Sequence, residues 1–368
     1  MSKGDKDNPQ KAQALRFCVA SGLLPYLEVK VGSAVDVTAT ERLITDLDVL
    51  GLQLEQSGAL QRTIFDCKSN GPSPINRAFW LAGLMRYVDA SQGVVILGKP
   101  AEKAHRLTAR TLNVHVFDTQ TFGDYAAATD PSFAIVSTYS SELSAWHDLR
   151  AQVETSHASI RAVYAYLTSE IPLTRDPARR LRRLLSLVRE HRGEFDPSRP
   201  LHIAVVAEIA LAVALLMVPI MGNLRHIVDL SDGAEEFGEV LRYYIWGGRE
   251  GVATVQRMQE LRGEGISLGD FETGLLAWPQ LMQLTRLLLE APTSVRDTCA
   301  PLRELVFRQT EAVDNKKDDH LTALLAGRRT RQFANRIINY TVLATKLPRE
   351  FADKLSSDLD HLAQRIAS

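Results

Sequence analysis

Cysteine is scarce in this chain: Cys18, Cys67 and Cys299 lie far apart and show no CxxC spacing. That excludes a disulfide framework and a cysteine-based zinc site, and it suits a reducing compartment. An excess of one charge sign is also lacking. The formal net charge is −1, so no overall field draws the chain to nucleic acid or to an anionic membrane. Such a partner must be held by local patches or by a metal ion. No uninterrupted apolar run reaches the roughly 18 residues needed to span a bilayer. The nearest candidate, "LHIAVVAEIALAVALLMVPIMG" at 201–222, is broken by His202 and Glu208 and carries Pro219 near its end. It reads as a buried core helix. The polar start "MSKGDKDNPQKAQ" has no apolar h-region, so no signal peptide is expected. A cytoplasmic protein without a membrane partner is the expectation.

Familiar catalytic signatures are missing as well. The nine histidines are scattered, with no HExxH or HxH arrangement, no GxGxxG opens a helix, and no GxSxG elbow occurs. "GVVILGK", residues 93–99, has the GxxxxGK spacing of a phosphate-binding loop. Its intervening residues form an apolar strand, however, and Pro100 stands where a Ser or Thr would bind Mg²⁺.

What is present is an ordinary globular composition, 45% hydrophobic and 24% charged over 368 residues. That length allows two or three domains with a substantial core. Residues 9–24 carry Ala12, Leu15, Val19 and Leu23 at helical spacing. "PYLEVKVG", "ERLITDLDVLGLQLE" and "LQRTIFDCKS" then alternate or are β-branched, with Gly-containing turns between them. "SPINRAFWLAGLMRYVDA" reads as a helix with Ser73 as N-cap and Pro74 at its first position. "GVVILG" is a strand covered on both faces, "PAEKAHRLTARTLN" a helix and "VHVFDT" a further buried strand. The order α-β-β-β-α-β-α-β predicts an α/β domain over residues 1–130 with a mixed sheet. From about residue 138 strand signals vanish and helical patterns continue to the end, so 138–368 reads as an all-α domain.

Chemistry concentrates at residues 46–68. Two carboxylates on one Mg²⁺ (or Mn²⁺) ion, with a lysine beside them, suit phosphodiester hydrolysis. The metal activates water and neutralises charge on the phosphate, and the lysine supports the transition state. Asp66 and Lys68 are two apart and therefore share a strand face, as do Asp46 and Asp48. A hairpin turn near Ser57-Gly58 would make the two strands neighbours. An acid two positions before a lysine occurs three times, at Glu28-Val29-Lys30, Asp66-Cys67-Lys68 and Asp314-Asn315-Lys316. Only the second has an acid-bearing strand before it and a β-α-β continuation after it.

This strand order, with Asp48 in "TDLDVLG" and the triplet in "TIFDCKS", resembles the PD-(D/E)xK, restriction endonuclease-like nuclease superfamily over residues 9–122. The resemblance implies metal ligation by Asp48, Asp66 and the carbonyl of Cys67, and a catalytic role for Lys68. DNA as substrate, and a place in prokaryotic defence or repair, are implied in the same way. Two departures stand out. Residues 9–22 contain no glutamate where many members place one on the first helix, which leaves Glu28 and Asp46 as secondary candidates. Leu47 replaces the proline before Asp48.

Two basic clusters lie in the helical part: Arg179, Arg180 and Arg183, then Arg328, Arg329 and Arg331. They read equally as nucleic-acid contacts and as solvated helix faces. The leading expectation is a two-domain Mg²⁺-dependent nuclease whose helical domain positions DNA. The alternatives are an inactive nuclease-fold subunit for nucleic-acid binding or assembly, and a helical module for oligomerisation, partner binding or effector sensing.

Overall fold

A computed structural model describes residues 5–33, 42–70, 73–262, 268–310 and 319–367. Helix α1 (Asn8–Ala20) begins after Asp7 with Pro9 in its first turn, where a missing N–H costs nothing. Strands β1 (Leu24–Gly32), β2 (Leu43–Leu54) and β3 (Leu60–Lys68) form an antiparallel meander. Helix α2 (Pro74–Val88), β4 (Gln92–Leu97), α3 (Lys103–Arg110) and β5 (Val114–Asp118) follow as parallel crossovers. The result is one mixed sheet in the order β1-β2-β3-β4-β5.

The β2–β3 hairpin closes at Glu55–Ala59, where Gly58 takes φ +91°. The expected turn at Ser57-Gly58 is therefore present, and glycine is there because an L side chain rarely tolerates that backbone. Ser73 does stand at the N-cap of α2, but its hydroxyl makes no cap hydrogen bond. A helix missed in the sequence, α4 (Thr119–Thr129), starts directly at the end of β5. Asp118 caps it, accepting the N–H groups of Gln120 and Thr121 at 3.1 Å.

Register assigns the sheet faces. Leu27, Val49, Phe65 and Val94 lie side by side across four strands, and so do Tyr26, Leu50, Ile64 and Gly93. Helices α1 and α4 cover the first face, where Phe17 and Phe122 meet the Phe65 ring at centroid distances of 5.9 and 6.3 Å. Gly51 lets α1 approach closely, since a Cβ there would fall 3.0 Å from the Cys18 sulfur. Helix α2 covers β4 on the second face.

The remainder is helical. After α5 (Ser132–Ile135) come α6 (Leu143–Glu154), α7 (Ala158–Ala165), α8 (Pro177–Glu190) and α9 (Pro200–Leu224). Helices α10 (Ala234–Trp246), α11 (Gly248–Arg262), α12 (Leu268–Leu276), α13 (Trp278–Leu289) and α14 (Thr293–Arg296) follow. The last four are α15 (Cys299–Arg308), α16 (Asp319–Ala326), α17 (Arg328–Thr345) and α18 (Glu350–Ala367). Helices α6 and α7 are separated at Ser156-His157, and Gly247, with φ +80°, ends α10 directly before α11. Helix α9 is long and apolar enough to cross a membrane by length and composition, yet 94% of its apolar window is buried among other helices.

Sheet and helices meet over a continuous apolar core. Gly58 at the hairpin tip touches Gly222 of α9 so closely that a Cβ on Gly222 would lie 2.4 Å from the Ser57 carbonyl oxygen. Arg62 of β3 donates to the carbonyls of Pro172 and Thr174 at 2.9 and 2.6 Å. Arg303 of α15 lies over the Tyr26 ring at 4.4 Å and pairs with Glu208 of α9 at 2.5 Å. Glu304 accepts the N–H groups of Tyr139 and Ser140, at 2.9 and 3.2 Å, which fastens the segment entering the helical part.

Candidate functional site

The β2–β3 ladder ends at Val49↔Phe65, and Asp48 and Asp66 are the next residues on each strand. Beyond that rung β3 continues against β4, with Asp66 opposite Val95. The Asp48 carboxylate fills the gap the ladder leaves: its Oδ2 accepts the Cys67 N–H at 2.8 Å and the Lys68 ammonium at 2.9 Å. Strand alternation puts Cys67 on the opposite face from Asp66 and Lys68. Its thiol is fully buried, and burial pushes it well above the ordinary cysteine range, so the sulfur is a packing group.

Around the two aspartates lie residues that the sequence reading did not single out. Lys11 of α1 is only 3% exposed and reaches Asp5 at 2.6 Å, Glu28 at 2.7 Å and Asp48 at 3.6 Å. Arg77, in the first turns of α2, makes a two-pronged bond through Nε and Nη2 to both oxygens of Asp66. The guanidinium also stacks on Trp80 at 3.9 Å. Asp7 accepts the Ser69 N–H at 2.6 Å and faces Lys68 at 3.6 Å. Arg150 of α6 pairs with Glu28 and donates to the Leu27 carbonyl, so the helical part contributes to this cluster.

Glu28 is itself unusual, with φ +50° in the middle of a strand. A non-glycine residue holds that conformation only where its surroundings impose it, and here two cations pull its carboxylate into the cluster. Of the secondary candidates Glu28 thus joins the group through Lys11. Asp46 is exposed, with its backbone paired to Lys30.

The electrostatics follow from burial and pairing. Burial raises the Asp48 carboxyl above its usual range, against the pull of Lys68 and the Cys67 N–H. Lys68 is half-buried, which disfavours its charge, but Asp48, Asp66 and Asp7 together push its pKa up. It is therefore an ammonium at neutral pH, suited to holding an anionic oxygen.

In donor chemistry the group suits a hard divalent cation: two carboxylates on one sheet face, with the Cys67 carbonyl next in sequence after Asp66. Those oxygens already have partners, however. Both of Asp66 are taken by Arg77, and Lys11 occupies the space among Asp5, Glu28 and Asp48. Among the described residues no group of three or more His, Cys, Asp or Glu side chains is gathered around an open cation position. A metal would enter by exchange with these cations.

No family model, no curated protein and no solved structure matches the chain.

The basic helices lie elsewhere. On α8, Arg179 and Arg183 are exposed, while Arg180 pairs with Glu170 at 2.6 Å and lies over the Tyr166 ring. On α17, Arg328 and Arg329 are exposed and Arg331 is half-buried. Helices α8 and α17 pack against each other. The triplet Asp314-Asn315-Lys316 lies outside the described residues. Asp5, Asp7, Lys11, Arg77 and Arg150 escaped the sequence reading because no local spacing marks them. The one available signal was that α1 carries Lys11 where a helix acid was sought, which reverses the expected charge.

Proposed function

We propose that the chain is a nuclease of the restriction endonuclease-like fold, acting on phosphodiester bonds, with DNA the expected substrate and Mg²⁺ or Mn²⁺ the expected cofactor. The observation that carries this reading is the meeting of Asp48, Asp66 and Lys68 on one face, at the rung where β2 and β3 part. Asp48, Asp66 and the Cys67 carbonyl would hold the metal. When bound, the ion supplies Lewis acidity and an activated water. The residues of the chain do the rest. Lys68, kept cationic by Asp48 and Asp7, is placed to bind a phosphate oxygen. Asp7 steadies the Ser69 N–H at the same end of the strand.

A second reading is favoured by a specific contact, the engagement of both Asp66 oxygens by a guanidinium that also stacks on Trp80. On that reading the fold is kept for nucleic-acid binding or assembly, and the acids are structural. The discriminating experiment combines Mn²⁺ calorimetry with cleavage of single- and double-stranded DNA by the full chain. Cleavage that needs the metal and is lost in Asp66→Asn and Lys68→Ala, with the far-UV spectrum unchanged, supports the nuclease. Unaltered cleavage in both variants removes the proposed site, and absence of Mn²⁺ binding in the wild type favours the inactive fold.

A further inference from the structure

A cavity of about 730 Å³ opens between the sheet and the helical part, away from the acidic cluster. The C-terminal end of α1 borders it, with the start of β1, the end of β2, the segment around α5, and helices α14 and α15. That volume is within the range of sites that take a drug-sized ligand. Leu23, Leu54, Ile135, Val136 and Leu324 give it an aliphatic wall beside a nearly equal polar one, and no aromatic ring lines it among the described residues.

Arg303 forms part of this wall and is only 2% exposed. Its Nη1 donates to Glu208 at 2.5 Å, while its Nε and Nη2 have no hydrogen-bond partner. The plane of the guanidinium is fixed, because it lies over the rings of Tyr26 and Trp146 at 4.4 and 5.1 Å. The Ser21 hydroxyl, on the same cavity, is also buried without a partner. A buried donor left unsatisfied costs about 1–3 kcal/mol, more when charged, so such groups in a folded protein call for an occupant. The Nε–Nη2 edge is the side of an arginine that grips two oxygens at once, in the parallel fork made with carboxylates.

We propose that this cavity binds an aliphatic carboxylate: the two oxygens sit on the Nε–Nη2 edge of Arg303, Ser21 donates beside them, and the chain lies along the leucine-lined wall. The lack of an aromatic ring argues against a nucleobase, which gains much of its affinity from stacking. Glu208 is held at Nη1 through its Oε2, and its Oε1 makes no hydrogen bond to the Nε–Nη2 edge. Arg296, half-buried on the same cavity, is paired with Asp297 at 3.4 Å, so it adds no free cation there.

The test is calorimetric titration of the full chain with decanoate, with decanol of equal chain length and with AMP. Saturable one-to-one decanoate binding is expected, at least tenfold tighter than decanol, with no heat from AMP. Two variants locate the site. Ala300→Trp fills the cavity, and the pair Glu208→Leu with Arg303→Met removes the fork without leaving a lone buried charge. Each should weaken decanoate at least tenfold. Equal affinity for decanol and decanoate would overturn the role of Arg303, and tighter AMP binding would overturn the ligand class. Wild-type affinity in whichever variant is shown to fold, or no decanoate binding at all, would overturn the site.

Discussion

The Arg77–Asp66 contact decides between the two readings of the acidic cluster, and it can be perturbed in one step, Arg77→Gln. The arginine makes two charge-assisted hydrogen bonds to a carboxylate that keeps only 4% of its side-chain surface. Such bonds contribute about 1.5–3 kcal/mol each, and stacking on Trp80 adds roughly 1 kcal/mol. Arg77 itself is 18% accessible, so water recovers part of the loss, and the expected net destabilisation without metal is about 3 kcal/mol. The same energy opposes metal entry in the wild type, since the ion must first dislodge the guanidinium. At about 1.4 kcal/mol per tenfold, Mn²⁺ should bind roughly 100-fold more tightly to the variant. Urea unfolding in EDTA measures the first quantity, and calorimetry with Mn²⁺ measures the second. At Mn²⁺ 100 times its dissociation constant the variant should regain about 2.7 kcal/mol. Equal Mn²⁺ affinity in the two proteins would show that Arg77 does not compete for Asp66. A loss below about 1 kcal/mol in EDTA would show that the fork is weaker than its geometry implies.

Three further outcomes follow from the packing. Glu208→Ala strands the buried Arg303 and should cost about 3–5 kcal/mol in urea unfolding. Glu208→Leu combined with Arg303→Met should return most of that loss. Gly222→Val drives a branched side chain into the Ser57 carbonyl at the hairpin tip. It should destabilise by about 1–3 kcal/mol, and proteolysis should then reach the hairpin sooner. Asp118 caps α4, so Asp118→Ala should cost about 1 kcal/mol. Burial opposes its charge, but the N–H and hydroxyl of Thr121 and the Gln120 N–H hold its pKa below the ordinary carboxylate range. A depressed carboxyl contributes stability that is complete above about pH 4 and is lost as pH falls further. Acid unfolding should therefore start at a higher pH in wild type than in Asp118→Asn, once the two are matched in stability at pH 7.

Much of the sheet was legible because its signals are local. Alternation and Gly-marked turns in 25–69, the wholly apolar run at 93–98 and the apolar Val114, Val116 and Phe117 report a strand's own burial without reference to any partner. The pairing of Asp66 with Lys68 on one face follows from the period of two alone. Helix α4 was missed because it begins at the last residue of β5, with no turn residues to separate them. Helix α9 reads correctly from composition, since a helix apolar all round must be enclosed.

The sequence by itself determined which residues form strands and which acids share a strand face. Tertiary structure alone decided what those acids touch. Lys11 lies 37 residues before Asp48 and Arg77 lies 11 after Asp66, and neither spacing carries a period. They meet the acids because α1 and α2 begin at the same end of the sheet where β2 and β3 part. Arg303 likewise reaches Tyr26 only because the helical part packs on the second sheet face. Local pattern encodes a residue's own environment, whereas a charge's partner depends on where long-range packing brings another element.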